Sequence, residues 1–283
     1  MKLSEIYKSD KTSVSFEIFP PETTEQIEKL FNEIKILKDF YPAFISLTCG
    51  AAGKNNENYK TVLKKLKTDF QIDIMPHFTC MCNKKVFIDD NLEFIKSLGT
   101  ENIFALRGDI PEDYKENCHD FCHANELVEY LKMKTDFSIA VAGYPEGHIE
   151  SNSIEDDIKN LKKKIDAGAD VIITQLFFEN ERFYEFVNRI RDFGITNPVV
   201  AGIMPVISLK QLEKMTKLAK ITIPQKFLEK IINNQNDKEY IKKLGIEFAT
   251  EQCRDLLKHK VKGLHFFTLN KAYSTSQILK NIL

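Results

Sequence analysis

The chain has 283 residues, with 40 Lys or Arg against 41 Asp or Glu, so its formal net charge is −1. This balance argues against a nucleic-acid-binding protein, which would need a dominant basic face. The apolar share of 43% and the charged share of 29% are close to globular averages and supply a large core. No run of the sequence approaches the roughly 18 apolar residues that a membrane-spanning helix needs.

The first residues of the chain do not resemble a secretory signal, because charged side chains are interleaved from Lys2 to Lys11. Six cysteines in a chain of this length do not form a disulfide framework, and we interpret them as reduced thiols. We therefore expect a cytoplasmic protein that binds neither nucleic acid nor a membrane.

Strand-like runs alternate with amphipathic helical segments along the sequence, which is typical of a parallel sheet covered by helices. The predicted strands are 13–19, 44–48, 72–79, 102–106, 138–143, 171–174, 199–204 and 263–268. The predicted helices between them are 24–40, 58–70, 86–98, 124–134, 154–167, 180–193 and 209–219. Two further helical segments, 224–233 and 237–260, precede the last strand, and a short helix follows it.

Eight strand–helix units in a chain of this length predict a (β/α)8 TIM barrel with extra helices before the last strand. We expect residues 1–283 to form a single catalytic domain. The alternative fold is a doubly wound open sheet. That fold would usually carry a G-x-G-x-x-G fingerprint after an early strand, and the sequence lacks it.

The polar residues predicted at the carboxyl ends of the strands are the candidates for chemistry in a barrel. Glu17 is the most informative of them, because its neighbours Phe16 and Ile18 are apolar. We expect this setting to raise the pKa of Glu17 and to suit it to donate a proton. The alternative is an outward-facing Glu17 paired with a helix lysine, although an unpaired carboxylate beneath the helices would be costly.

Three other motifs have competing interpretations. Arg107-Gly108-Asp109 combines a cation, a flexible backbone and an anion at one strand end, or forms a turn closed by its own ion pair. The glycine-rich segment 50–54 does not match a P-loop, because Asn55 stands where Ser or Thr would hold Mg²⁺. Asp157, Asn160 and Lys164 share one helix face, which could reach a nucleotide or could simply be solvated.

A metal site and two other classes of enzyme receive little support. The cysteine and histidine residues at 80, 82, 118, 119, 122 and 123 could ligate zinc, but their spacing is not that of a zinc knuckle, and we predict no metal. No predicted strand carries the lysine that a Schiff-base aldolase needs. No G-x-S-x-G motif marks a serine hydrolase.

A series of motifs resembles, in order, those of the methylenetetrahydrofolate reductases. The motifs are FEIFPPE at 16–22, SLTCG at 46–50, PHFTC at 76–80, ALRGDIP at 105–111, AGYPEGH at 142–148, DAGA at 166–169, ITQLFF at 173–178 and FFTLN at 266–270. The resemblance covers the catalytic domain and is to the short bacterial form of the family.

The resemblance implies a barrel that holds FAD at its carboxyl face. NAD(P)H, with NADH the favoured donor, would reduce the flavin and leave. 5,10-Methylenetetrahydrofolate would then accept the hydride and become 5-methyltetrahydrofolate, in a ping-pong reaction that supplies methyl groups for methionine synthesis. By resemblance, Glu17 is the acid that assists opening of the folate imidazolidine ring, and Asp109 lies near the flavin and the pterin.

The resemblance also implies particular binding residues and a homo-oligomer. The implied FAD contacts are Thr48, His77, Leu106, Arg107, Gly108, Asp109, His123, Ala124, Ala142, Tyr144, His148, Asp157, Asn160 and Lys164. The implied substrate contacts are Glu17, Gln175, Gln211 and Lys271. Cys49, His123, Met215 and Lys271 depart from residues common in the family, and these departures bear on affinity rather than on the chemistry.

Two other functions remain open from the sequence. One is a metal-dependent lyase or hydrolase with Glu17, His77 and Asp109 as ligands. The other is a flavin- or folate-binding protein without turnover, although simple storage has no need of a buried acid.

Overall fold

The computed structural model describes residues 1–49, 57–81, 83–109 and 120–283. Eight parallel strands follow one another around a closed barrel, and β8 returns to pair with β1, which confirms the predicted fold. The strands are β1 (Ser13–Ile18), β2 (Phe44–Leu47), β3 (Ile74–Thr79), β4 (Asn102–Leu106), β5 (Ser138–Gly143), β6 (Val171–Leu176), β7 (Val199–Ile203) and β8 (Gly263–Phe267). The helices are α1 (Leu3–Ile6), α2 (Thr24–Lys38), α3 (Glu57–Thr68), α4 (Lys85–Ser97), α5 (Ala124–Lys134), α6 (Ile154–Asp166), α7 (Asn180–Asp192), α8 (Leu209–Leu218), α9 (Gln225–Asn233), α10 (Lys238–Lys258) and α11 (Ala272–Ile282).

Alternation along the strands divides the side chains between the barrel interior and the helix layer. Phe16 and Ile18 of β1 are fully buried in the same cluster as Ile34 of α2. Since successive side chains of a strand point to opposite faces, Ser15 and Glu17 face the barrel interior. Glu17 is therefore inward-facing, and the alternative of an outward glutamate is wrong.

The helix α2 shows how the sequence sets the outer layer. Thr23 and Gln26 form a capping box that satisfies free N–H groups at the start of the helix. Ile27, Leu30 and Ile34 recur at helical spacing and are buried against the barrel. The predicted helix 24–40 thus has the right face, and it ends two residues earlier, at Lys38.

The short helix α1, which the sequence analysis does not predict, closes the end of the barrel where the strands begin. Leu3 and Tyr7 are buried with Phe44 and Met75 of the interior. The Leu3 N–H donates to the side-chain oxygen of Asn102, the first residue of β4, at 2.8 Å. Four helical residues carry too little periodicity to be recognised in a sequence.

The two extra helices, α9 and α10, cover one side of the opposite end. Phe227 and Ile231 of α9 and Ile241 of α10 form a separate apolar cluster with Met204 and Leu212. The helix α10 comes so close to the chain after β7 that only glycine fits at position 245. None of the helices in the described ranges has both the length and the apolar character needed to cross a membrane.

We expect Gly245→Ala to destabilise the protein, although helix propensity alone would favour alanine by about 1 kcal/mol. A Cβ at residue 245 would lie 1.9 Å from the carbonyl oxygen of Val206, so the backbone must shift. The expected loss in the free energy of unfolding is about 2 kcal/mol or more, measured by urea denaturation.

The matched control is Gly99→Ala, at a residue with a φ of +66° and no atom within 4 Å of the added Cβ. It should cost only the left-handed backbone penalty of about 1 kcal/mol. A Gly245→Ala protein as stable as the original would contradict the close helix packing.

Candidate active site

A cavity of about 530 Å³ lies at the carboxyl ends of the strands. Strand ends and the loops that follow them form its wall, as expected for the functional end of a TM barrel. Among the predicted site residues, those lining it are Glu17, Thr48, His77, Leu106, Arg107, Gly108, Asp109, Ala142, Tyr144, His148 and Gln175.

Glu17 lies in the cavity floor beside two histidines from other strands. Its Oε2 is 3.5 Å from His77 Nε2 of β3 and 3.8 Å from His265 Nε2 of β8. The Glu17 side chain is 20% exposed, whereas the His265 side chain is fully buried. The carboxylate therefore sits at the boundary between the closed barrel interior and the open cavity.

The pKa of Glu17 is lower than its ordinary value, so the expectation of a raised pKa is wrong. Burial does raise this pKa, but the imidazoles of His265 and His77 lower it by a larger combined amount. The physical reason for the difference is the direction in which neighbouring side chains of the strand point. Phe16 and Ile18, which suggested an apolar setting, point to the helix layer, while the carboxylate points to the histidines.

His77 is neutral at pH 7, because burial lowers its pKa to about 4 despite the opposing effect of the Glu17 charge. Its ring meets the Phe104 ring edge-on, with 4.7 Å between the ring centres. The Nε2 atom is buried and makes no hydrogen bond within the described part of the chain. A buried ring nitrogen without a partner is unusual and indicates a group that a ligand could satisfy.

His265 is the main polar residue that the sequence analysis misses. Its Nδ1 lies 2.8 Å from Ser15 Oγ and its Nε2 lies 3.5 Å from Ser46 Oγ. It stands in the middle of β8, below the strand ends at which the sequence analysis places the functional residues. The alternation of β8 could have revealed it, because His265 shares a face with Phe267, which lines the cavity.

Arg107 pairs with Glu150 rather than with Asp109. Its guanidinium donates two hydrogen bonds to the Glu150 carboxylate, so the proposed turn closed by an Arg107–Asp109 pair is not formed. Gly108 has a φ of +79°, and a Cβ there would lie 3.0 Å from Thr79 Cβ. Glycine thus allows the backbone to run close to β3 while Arg107 and Asp109 both border the cavity.

The face of α6 that carries Asp157, Asn160 and Lys164 lies partly behind the cavity wall and partly in solvent. Lys164 Nζ donates to the Ala142 carbonyl oxygen at 2.6 Å and lies 5.9 Å from the centre of the Tyr144 ring. Burial lowers the pKa of Lys164 to about 8, against the opposing charge of Asp157, and burial raises the pKa of Asp157. Asn160 is exposed and accepts a hydrogen bond from Lys163.

A local irregularity places Gln175 in the wall. The pairing of β6 with β7 shifts between Ile173 and Leu176, and Thr174 Oγ1 accepts the Gly202 N–H at 2.9 Å. As a result the consecutive residues 173–176 all line the cavity, which regular alternation would not allow. The strand β6 also runs to Leu176 rather than ending at 174 as predicted.

Several predicted contacts lie away from the cavity wall. The Gln211 amide accepts the Ile207 N–H and donates to the Pro205 carbonyl oxygen, so it is used within its own loop. Lys271 and His123 are exposed at the starts of α11 and α5, and Ala124 is buried. The predictions for the loop 50–54 and for residues 82, 118 and 119 fall outside the described residues.

Residues that were not among the predicted contacts complete the wall. Met204, Lys220, Ile221 and Leu269 line the cavity together with Met215, which was noted only as a departure from the family. The segment holding Lys220 and Ile221 is tethered across the cavity, because Glu146 accepts hydrogen bonds from the N–H and hydroxyl of Thr222.

The metal-dependent alternative gains no support from the geometry. Within residues 1–49, 57–81, 83–109 and 120–283, no three His, Cys, Asp or Glu side chains are arranged to hold a metal ion. Glu17, His77 and Asp109 therefore do not form the ligand set that this alternative requires.

Comparison with solved structures shows the fold alone. An uncharacterized protein from Clostridium thermocellum, described as binding two copies of 5-methyl-5,6,7,8-tetrahydrofolic acid, matches with a TM-score of 0.65. The match covers 100% of this chain and 98% of that one, at 14% sequence identity.

Comparison of sequences is more specific. The methylenetetrahydrofolate reductase 1 of Schizosaccharomyces pombe is 34% identical, over 96% of this chain and 46% of that protein. The methylenetetrahydrofolate reductase (NADH) 1 of Arabidopsis thaliana is 36% identical, over 99% of this chain and 50% of that protein. The chain thus spans about half the length of these eukaryotic relatives.

A bacterial relative matches along most of its length. The 5,10-methylenetetrahydrofolate reductase of Escherichia coli is 35% identical, over 92% of this chain and 87% of that protein. The sequence model described as methylenetetrahydrofolate reductase matches residues 2–283. These matches establish that the chain belongs to the methylenetetrahydrofolate reductase family.

Proposed function

We propose that this chain reduces 5,10-methylenetetrahydrofolate to 5-methyltetrahydrofolate with NADH, through bound FAD, in two successive half-reactions. Membership of the family supports the reaction, and the plant relatives named for NADH support the nucleotide. The observation that carries the proposal is the Glu17 carboxylate, inside the barrel beside His77 and facing a ligand-sized cavity.

The residues at the cavity fit a flavin nucleotide. A volume of about 530 Å³ is within the range of small-molecule sites. His77 offers its unpartnered Nε2, and Arg107 offers a guanidinium suited to phosphate once Glu150 is displaced. When bound, FAD would supply the hydride chemistry.

The predicted FAD contacts fall into three groups that differ in support. Those supported by their place at the cavity wall are Thr48, His77, Leu106, Arg107, Gly108, Asp109, Ala142, Tyr144 and His148. Asp157 and Lys164 would act from behind Tyr144. His123, Ala124 and Asn160 remain predictions from the family resemblance.

Glu17 would deliver a proton to the nitrogen that leaves carbon when the folate imidazolidine ring opens. Because its pKa lies below its ordinary value, Glu17 is ionised at pH 7 in the ligand-free protein. It must therefore take up a proton from solvent as the folate enters, and this is the proton that it then passes to the folate nitrogen. A folate that displaces water from the cavity favours this step, because desolvation favours the neutral acid.

Asp109 and Gln175 would orient the opened folate. The Asp109 carboxylate at the cavity wall would stabilise the cationic iminium, which develops positive charge as the ring opens. The Gln175 Oε1 accepts the Leu176 N–H at 2.9 Å, which leaves the amide N–H groups to contact the pterin or the nicotinamide in turn. Gln211 and Lys271 would have to turn toward the cavity to reach the folate.

The remaining parts of the proposal are supported by the family resemblance alone. They are the cytoplasmic location, the homo-oligomeric state and the supply of methyl groups for methionine synthesis. A binding protein without turnover is the competing function, and the Glu17–His77 contact favours the enzyme.

The direct test is the visible absorption spectrum of the protein purified with FAD, recorded anaerobically before and after NADH is added. The proposal expects a flavin spectrum that bleaches with NADH and returns with methylenetetrahydrofolate. A protein that binds no FAD would overturn the proposal. A flavin that bleaches without recovering would leave no support for folate reduction.

We expect Glu17→Gln to slow the folate half-reaction by about a hundredfold or more, because the amide cannot donate the required proton. Reduction of the flavin by NADH needs no proton from Glu17 and should continue. Stopped-flow measurement of the two half-reactions separates these effects. The matched control is Glu155→Gln, on the exposed face of α6, which should change neither rate. An equal loss in both half-reactions would contradict the acid role.

We expect the FAD-free protein to lose stability as the pH falls from about 6.5 to 4, because His77 has a pKa of about 4 when folded against 6.5 when exposed. Over this window the unfolded chain binds the additional proton, so acid favours unfolding. The contribution lost by pH 4.5 is about 2–3 kcal/mol.

Urea denaturation at pH 7 and pH 4.5 measures this loss, and His77→Asn should remove most of it. The control is His259→Asn, since the His259 side chain is 55% exposed. The same pH dependence in the His77→Asn protein would show that His77 is not held neutral.

A further inference from the structure

The end of β1 is held by residues that follow β8 in the chain. The last paired residues of these strands are Glu17 and Phe267. Beyond them, the backbone N–H and the hydroxyl of Thr268 both donate to the Glu17 carbonyl oxygen, at 3.3 and 2.7 Å. The main chain of the proposed acid is therefore fixed from the β8 side.

Asn270 extends this attachment by one further step. The Phe19 N–H donates to Asn270 Oδ1 at 2.9 Å, and Asn270 Nδ2 donates to the Phe19 carbonyl oxygen at 2.8 Å. A side-chain amide carries one acceptor and a donor side by side, so it can replace a strand residue in such a pair. The Phe19 side chain is 42% exposed, so packing does little to hold this residue.

The backbone around Asn270 adopts a conformation that few residues favour. Leu269 and Asn270 have φ values of +51° and +57°. Asparagine accepts this left-handed region readily, whereas leucine rarely does.

Leu269 and Asn270 lie at the opposite end of the barrel from the other non-glycine residues with positive φ. In the described ranges, the other non-glycine residues with positive φ are Tyr41, Gln71 and Lys260, each alone shortly after a helix. Leu269 lines the cavity that Glu17 also borders. A costly conformation maintained at a cavity wall is typical of a functional constraint.

We infer that Asn270 is a positioning residue, which sets Glu17 and Leu269 on one wall of the cavity for the folate. It acts through Phe19 and through the turn at Leu269, and it does not touch the reacting atoms. The identity of the ligand rests on the proposed function. Losing the Asn270 contacts lets the end of β1 move, which impairs proton delivery by Glu17 but not flavin reduction by NADH.

The test compares Asn270→Gly with Asn197→Gly. Glycine at 270 removes the amide and still accepts a positive φ. Asn197 is a matched control, because its amide also makes two hydrogen bonds to the backbone, to the carbonyl oxygens of Ala169 and Asp170, but at the other end of the barrel. Circular dichroism and thermal unfolding establish that both variants fold.

Asn270→Gly should slow the folate half-reaction by about 10- to 100-fold, because a small displacement of the acid has a large effect on rate. Flavin reduction by NADH should stay within about twofold of the original protein. Asn270→Asp, which keeps the acceptor but places an anionic oxygen against the Phe19 carbonyl, should show a similar loss. Asn197→Gly should lower the melting temperature and leave the ratio of the two rates unchanged.

Hydrogen exchange at the Phe19 amide gives a readout that does not depend on activity. It should be faster in Asn270→Gly than in the original protein, and unchanged in Asn197→Gly. Unchanged exchange at Phe19, or equal slowing of both half-reactions, would overturn the inference. If the original protein performs neither half-reaction, the proposed function fails, and the exchange measurement still decides whether Asn270 holds the end of β1.

Discussion

The site depends on the polar contacts that stabilise one carboxylate, that of Glu17, inside the barrel. A charge taken out of water is costly unless polar groups surround it. Glu17 meets this requirement through His77 and His265, and His265 is in turn placed by Ser15 and Ser46. The barrel interior is consequently divided along its axis. Its lower part is filled with apolar side chains such as Phe44 and Met75, and its upper part is polar and opens into the cavity.

The features predicted correctly from the sequence are those that leave a periodic signal. The repeat of strand-like runs and amphipathic segments predicted the eight-stranded barrel, and the cost of an unpaired carboxylate beneath the helices favoured an inward-facing Glu17. The pKa of Glu17 was predicted in the wrong direction for a related reason. Residues adjacent in the chain point to the opposite face of a strand, whereas the histidines that set the pKa come from β3 and β8.

Contacts between loops could not be predicted, because no periodic pattern in the sequence indicates which loops contact one another. Arg107, for example, pairs with Glu150 rather than with its neighbour Asp109. Lys220 borders the cavity beside a segment that Glu146 holds through Thr222. In each case the determining quantity is the position of a loop on the completed barrel, to which local residue preferences make little contribution.

The helix α1 has a kinetic consequence that follows from its position alone. Leu3 and Tyr7 cover the end of the barrel where the strands begin, and Phe44 and Met75 fill the interior there, so the cavity is a chamber that ligands enter and leave from the opposite side. Two reactants that use such a chamber cannot pass one another. Under the proposed function, the second reactant has to wait until the first has departed, so the residence time of the spent nicotinamide would limit how soon the folate can enter.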